Sequence, residues 1–169
     1  MNDDEKFFFD LEGYLVLRNV LDSDEIARCN EAIDRHDEDF YEPARSLEGD
    51  SKVLAGKAPQ KRMDGMLAWE RPWCEPFRQL LIQPRIKAIL EEVLGPGYRL
   101  DHGPALLTME AGGEGCTMHG GGIERTDLSE AYFFKNGRIY TGLTVVEYLL
   151  ADEGPGAGGF AVVPGSHKA

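Results

Sequence analysis

Positive charge is scarce in this chain. Lys and Arg number 18 against 30 Asp and Glu, which leaves a formal net charge of −12 over 169 residues. A surface of that sign repels phosphate backbones, so no nucleic-acid partner is expected. It equally disfavours an anionic membrane surface. An anionic small molecule stays possible, because a local cluster of Lys and Arg overrides the global field at short range. Cysteine is scarce too. Cys29, Cys74 and Cys116 are an odd count, far apart, with no CxxC pair. That excludes a disulfide framework and a paired-cysteine zinc site, and it fits thiols in a reducing compartment. Long apolar runs are missing: no stretch approaches the ~20 residues that span a bilayer. The N-terminus MNDDEKFFFD is acidic, whereas a signal peptide opens with positive charge. A cytoplasmic protein without a membrane partner is expected. Neither GxSxG nor GxxxxGK[ST] occurs, so nucleophile-elbow and phosphate-loop chemistry have no support.

What is present reads as one domain, since 169 residues at 42% hydrophobic content are enough to bury a core. Residues 3–12 predict a short helix with acids in its first turn, stopped by Gly13. Tyr14–Arg18 predicts a strand. Ser23 is expected to cap a helix running to about Asp37, with Ile26, Cys29 and Ile33 on one face. Residues 38–72 carry little periodicity, several glycines and prolines, and the basic residues Lys57, Lys61 and Arg62. A lid over a site and a plain surface excursion both fit such a segment. Helices follow at 75–81 and 84–94, with Pro84 in a first-turn position. Beyond Gly95-Pro96-Gly97 the character changes to strands, expected at 98–101, 105–110, 142–151 and 160–163. The order is helices in residues 1–97 and antiparallel-looking strands in 98–169, an α+β layout with helices outside a sheet or barrel.

Four histidines are available. His36 near a helix end fits the helix dipole, and His102 in LDHGPAL fits a turn. His119 opens the glycine run TMHGGGIERTD, and His167 follows the PGS turn. A mononuclear non-haem iron site takes two histidines and one carboxylate on one face of the metal. Alternation along a strand puts residues i and i+2 on one side, which favours His-x-Asp or His-x-Glu for the first two ligands. Here the i+2 residue is Gly121, so metal ligation by His119 and a purely structural glycine turn both stay open. Cys116, three residues before His119, is a further candidate as a thiol beside a base.

Three stretches together resemble the phytanoyl-CoA dioxygenase family of Fe(II)- and 2-oxoglutarate-dependent oxygenases: FFFDLEGYLVLRNVLDSDEI, LDHGPALLTMEAGGEGCTMHGGG and YLLADEGPGAGGFAVVPGSHKA. The resemblance implies a double-stranded β-helix (jelly roll) with N-terminal helices packed outside. It implies His119 as the first iron ligand and 2-oxoglutarate as cosubstrate. The chemistry would be oxidative decarboxylation to succinate and CO₂, coupled to hydroxylation of a small organic substrate. Two departures follow from it. Gly121 stands where the carboxylate belongs; Glu124 or Asp127 would substitute, or a halide would occupy the position as in related halogenases, or the fold serves as a non-catalytic binding or scaffold domain. The family's distal histidine and 2-oxoglutarate arginine come well after the PGSH turn, and the sequence stops two residues after His167. The expectation is an incomplete barrel, inactive by itself, from the N-terminal part of a longer protein or a truncated gene product. Lys57, Lys61 and Arg62 are candidates to meet an anionic substrate group.

Overall fold

The fold is taken from a computed structural model that describes residues 1–43, 51–108, 110–120, 128–154 and 156–168. Helix α1, Asp3–Glu12, begins at a capping box. Asn2 accepts from the Glu5 amide and Glu5 accepts from the Asn2 amide, at 2.8 and 2.9 Å. It ends at Gly13, whose φ of +85° suits a residue without a Cβ. Helix α2, Ser23–Arg35, repeats the device with Asp22 and Glu25, both bonds at 2.8 Å. The cap is therefore Asp22. Ser23, expected in that role, is the first helical residue, because only Asp22 has a glutamate three positions on. Helix α2 buries Cys29 and Ala32 and stops at His36, short of Asp37.

Within the segment 38–72, Tyr41 and residues 61–64 are built into β pairing. Strand β1, Lys61–Asp64, follows an isolated bridge between Tyr41 and Arg62. Helices α3, Glu75–Leu81, and α4, Pro84–Val93, come next. Gln83 caps α4, accepting from the Arg85 and Ile86 amides at 2.7 and 3.0 Å, and donates to the Val20 carbonyl at 3.1 Å. Strand β2, Ala105–Thr108, pairs antiparallel with β1, Met63 lying opposite Leu106. Strands β3, Tyr132–Lys135, and β4, Arg138–Thr141, form a hairpin. Its two-residue turn is Asn136-Gly137, with φ of +53° and +73°, the type I′ geometry that matches strand twist.

Two apolar clusters hold these elements. Cys29, Ala32, Met66 and Phe77 form one, with Trp69, Leu106 and Leu150 against it. Phe9, Val93 and Ile139 form the other, with Leu15 and Tyr132. The first ties β2 to α2 and α3; the second ties the hairpin to α1 and α4.

The mixed helix and strand content is α+β, as expected, but the described residues form two two-stranded sheets and no closed barrel. The strands expected at 14–18, 98–101, 142–151 and 160–163 are not strands. Their β-rich composition is only a propensity, while a strand exists only with a ladder partner, and these segments have none among the described residues. Residues 142–151 instead cross the helices: Tyr148 donates to the Leu80 carbonyl at 2.8 Å and Asn30 to the Leu150 carbonyl at 3.0 Å. Burial pushes the Tyr148 hydroxyl up to about 12. No helix among the described residues is long and apolar enough to cross a membrane.

Candidate metal centre

His119 is reached from β2 through a turn stitched to residues 54–60. The Gly113 amide closes the turn on the Glu110 carbonyl at 2.8 Å. Lys57 then donates its amide to Gly112, Glu114 to Ala58 and Gly115 to Leu54, all at 2.8 to 2.9 Å. The two backbones approach so closely at Gly56 that a Cβ there would lie 2.1 Å from the Glu114 nitrogen. Only glycine permits that contact. The buried Glu114 carboxylate accepts from the Gln60 amide at 3.2 Å. Part of the loop that the sequence offered as a lid is thus a brace for the approach to His119.

At the end of the brace, Cys116, Thr117 and His119 form a small exposed group. The Nδ1 of His119 lies 3.0 Å from the Thr117 carbonyl oxygen. An oxygen acceptor requires the proton on Nδ1, which leaves the Nε2 lone pair bare. Cys116 Sγ lies 3.5 Å from the same carbonyl and 3.9 Å from Nδ1.

The other expected site residues are placed elsewhere or lie outside the described residues. Gly121, Glu124 and Asp127 belong to the latter. Arg62 is engaged: its Nε and Nη2 each approach Asp64 to 2.9 Å, and Tyr41 donates to the same carboxylate. The guanidinium bonds hold the Asp64 carboxyl below the usual range. Lys57 and Lys61 are exposed, with Lys61 opposite Thr108 in the sheet. His36 stacks on Trp69 at 3.8 Å between ring centres, and His102 faces Asp101 at 2.8 Å. Among the described residues no three His, Cys, Asp or Glu side chains gather around one point. His119 fits as a donor for iron; a facial set is not assembled from the described residues. A surface cavity of about 370 Å³ between α2 and α3 is lined by Glu25, Arg28, Cys29, Trp73 and Gln79, and by none of the sequence-predicted site residues.

The PGSH turn has a different place. The Gly165 amide donates to the Glu12 carbonyl at 2.8 Å, and His167 Nε2 donates to the Asp10 carbonyl at 3.0 Å. The His167 ring sits edge-on to Tyr132 at 4.5 Å. Asp10 also takes the Tyr132 hydroxyl and the Lys168 ammonium, the latter at 3.0 Å. The Tyr132 bond, then Lys168, holds the Asp10 carboxyl low. A Cβ on Gly13 would lie 2.4 Å from His167 Nδ1. His167 is accordingly a docking residue of α1, in line with its reading as a turn histidine. The Asp10–Tyr132 partnership was not read from the sequence, and no local pattern announces a contact across 122 residues.

Residues 9–169 match the family model of phytanoyl-CoA dioxygenase (PhyH). The chain belongs to the phytanoyl-CoA dioxygenase family. No curated protein and no solved structure matches it. Within the phytanoyl-CoA dioxygenase match lie both His119 and the PGSH turn.

Proposed function

We propose that this chain is a jelly-roll oxygenase-type domain of the Fe(II)- and 2-oxoglutarate-dependent class, with His119 as its first iron ligand and a small organic molecule as substrate. The observation that carries the reading is the Nδ1–H bond of His119 to the Thr117 carbonyl. An oxygen acceptor calls for the proton on Nδ1 and leaves the lone pair on Nε2, the arrangement that metal-ligating histidines use. When bound, iron and 2-oxoglutarate would supply oxidative decarboxylation coupled to substrate oxidation. The chain's own contribution is to hold the imidazole on a braced, glycine-flanked turn. Lys57 and Lys61 carry no ion pair among the described residues and are the cations left to meet an anionic substrate group, since Arg62 is committed to Asp64. Glu124 and Asp127 are the candidate substitute carboxylates; a halide at the position of Gly121 is the alternative.

The test is Fe(II) binding by the wild-type chain and by His119→Ala, followed by the quenching of a fluorescent chelator competition. Affinity is expected to fall at least about tenfold; unchanged affinity removes His119 from the site. A second reading, a binding or scaffold domain without iron, is favoured by one observation: the described residues bring no set of three His, Cys, Asp or Glu donors together at His119. It predicts that wild type and variant bind Fe(II) equally weakly.

A further inference from the structure

We propose that Cys116, the Thr117 carbonyl and His119 form a chelating site for a thiophilic divalent cation of the zinc class, on the Nδ1 edge of the imidazole. The three donors lie 3.0, 3.5 and 3.9 Å apart. An ion held at about 2.0–2.3 Å from nitrogen, oxygen and sulfur keeps its donors about 3.3–3.8 Å apart at tetrahedral angles. Shifts of a few tenths of an ångström convert the hydrogen-bonded triangle into one face of such a tetrahedron. Sulfur and imidazole together select a borderline-soft ion over a hard one. Cys116 and His119 are both exposed, so an ion reaches them directly and water completes its shell.

The proton balance is simple. The thiol releases its proton to solvent, and the ring gives up the Nδ1 proton while Nε2 takes one. One proton is released per ion. The site does not depend on the iron reading, and it opposes it. A ring coordinated through Nδ1 and protonated at Nε2 has no lone pair left for iron, so a thiophilic cation acts as an antagonist of Fe(II) at His119.

Cobalt(II) is the probe, with the full chain reduced. Cys29 and Cys74 are buried, so a thiolate-to-cobalt charge-transfer band reports Cys116. The expected result is a band saturating at one ion per chain, displaced by zinc, with one proton released. Cys116→Ser and His119→Ala should each weaken cobalt binding at least tenfold while their far-ultraviolet circular dichroism stays that of wild type. Absence of the band in wild type overturns the proposal. So does a band that persists in Cys116→Ser, or one that His119→Ala leaves unchanged. Fe(II) binding read in parallel separates the two functions. Cys116→Ser should keep Fe(II) affinity, so loss of iron in His119→Ala without any cobalt–thiolate band leaves the iron reading standing and sinks this one. A band that depends on both residues, beside Fe(II) binding indifferent to His119, does the reverse.

Discussion

His167 is held where a neutral ring fits and a charged one does not. Its Nε2 is spent on the Asp10 carbonyl, and its Nδ1 is buried against Gly13 without a partner. Burial lowers its pKa below the ordinary histidine value, against the smaller opposing pull of Asp10. A base depressed in the folded state binds fewer protons there than in the unfolded state. Its contribution is therefore complete above about pH 6.5, the unfolded value, and is lost as pH falls through the lower folded value. Amide exchange of residues 163–168 is expected to speed up as pH falls through that window, after correction for intrinsic exchange, and His167→Gln should flatten the dependence. Equal protection on both sides of the window would show that the ring titrates freely. The same scale shows what sequence could and could not disclose. His119 was singled out as a candidate by the strand-like approach and the glycines after it. That Asp10 and Tyr132 grip the PGSH turn was not, because each is an ordinary residue until the chain folds.

Among the elements, helices were read well and strands poorly, for one physical reason. A helix closes its hydrogen bonds within itself, so its start is written locally: Asn2 with Glu5, Asp22 with Glu25, Gln83 before Pro84. A strand's bonds belong to a partner, and the partner of β2 lay in the aperiodic stretch before α3. The β3–β4 hairpin had a local signal, Asn136-Gly137 between aromatic and β-branched residues, and it is the one strand pair that sequence reasoning should have caught. Both turn residues have positive φ. Gly137→Ala is expected to cost about 1–2 kcal/mol in urea unfolding, because the hairpin carries the buried Ile139 into the second core. Asn136→Gly should stay within a few tenths of wild type. A neutral Gly137→Ala would mean that the hairpin contributes nothing to cooperative unfolding.

At the scale of the whole molecule, charge and apolar exposure oppose each other. Val145, Leu149, Phe160 and Val163 are all half or more exposed, at 70, 50, 65 and 55%. Apolar groups so placed promote association, while a net charge of −12 keeps copies apart. Screening should shift the balance. Light scattering of the chain is expected to rise with added sodium chloride at fixed protein concentration, with enhanced fluorescence of a hydrophobic dye at low salt. Scattering that falls with salt would mean that association is driven by charge pairs. The α+β class was legible from the order of segments; the two separate small sheets were not, because composition does not say which strands meet.

The docking of the PGSH turn on α1 also has a consequence in time. Helix α1 is synthesised ahead of its fastening, because the amide and the imidazole that bond to its last turn belong to Gly165 and His167. At bacterial to eukaryotic elongation speeds, that gap corresponds to roughly 8–30 s of synthesis. Throughout it, Asp10 lacks Tyr132 for most of the interval and Lys168 for all of it. Helix α1 is thus made well before the residues that lock it, and the nascent chain must carry it unfastened until its distant clasp has been translated.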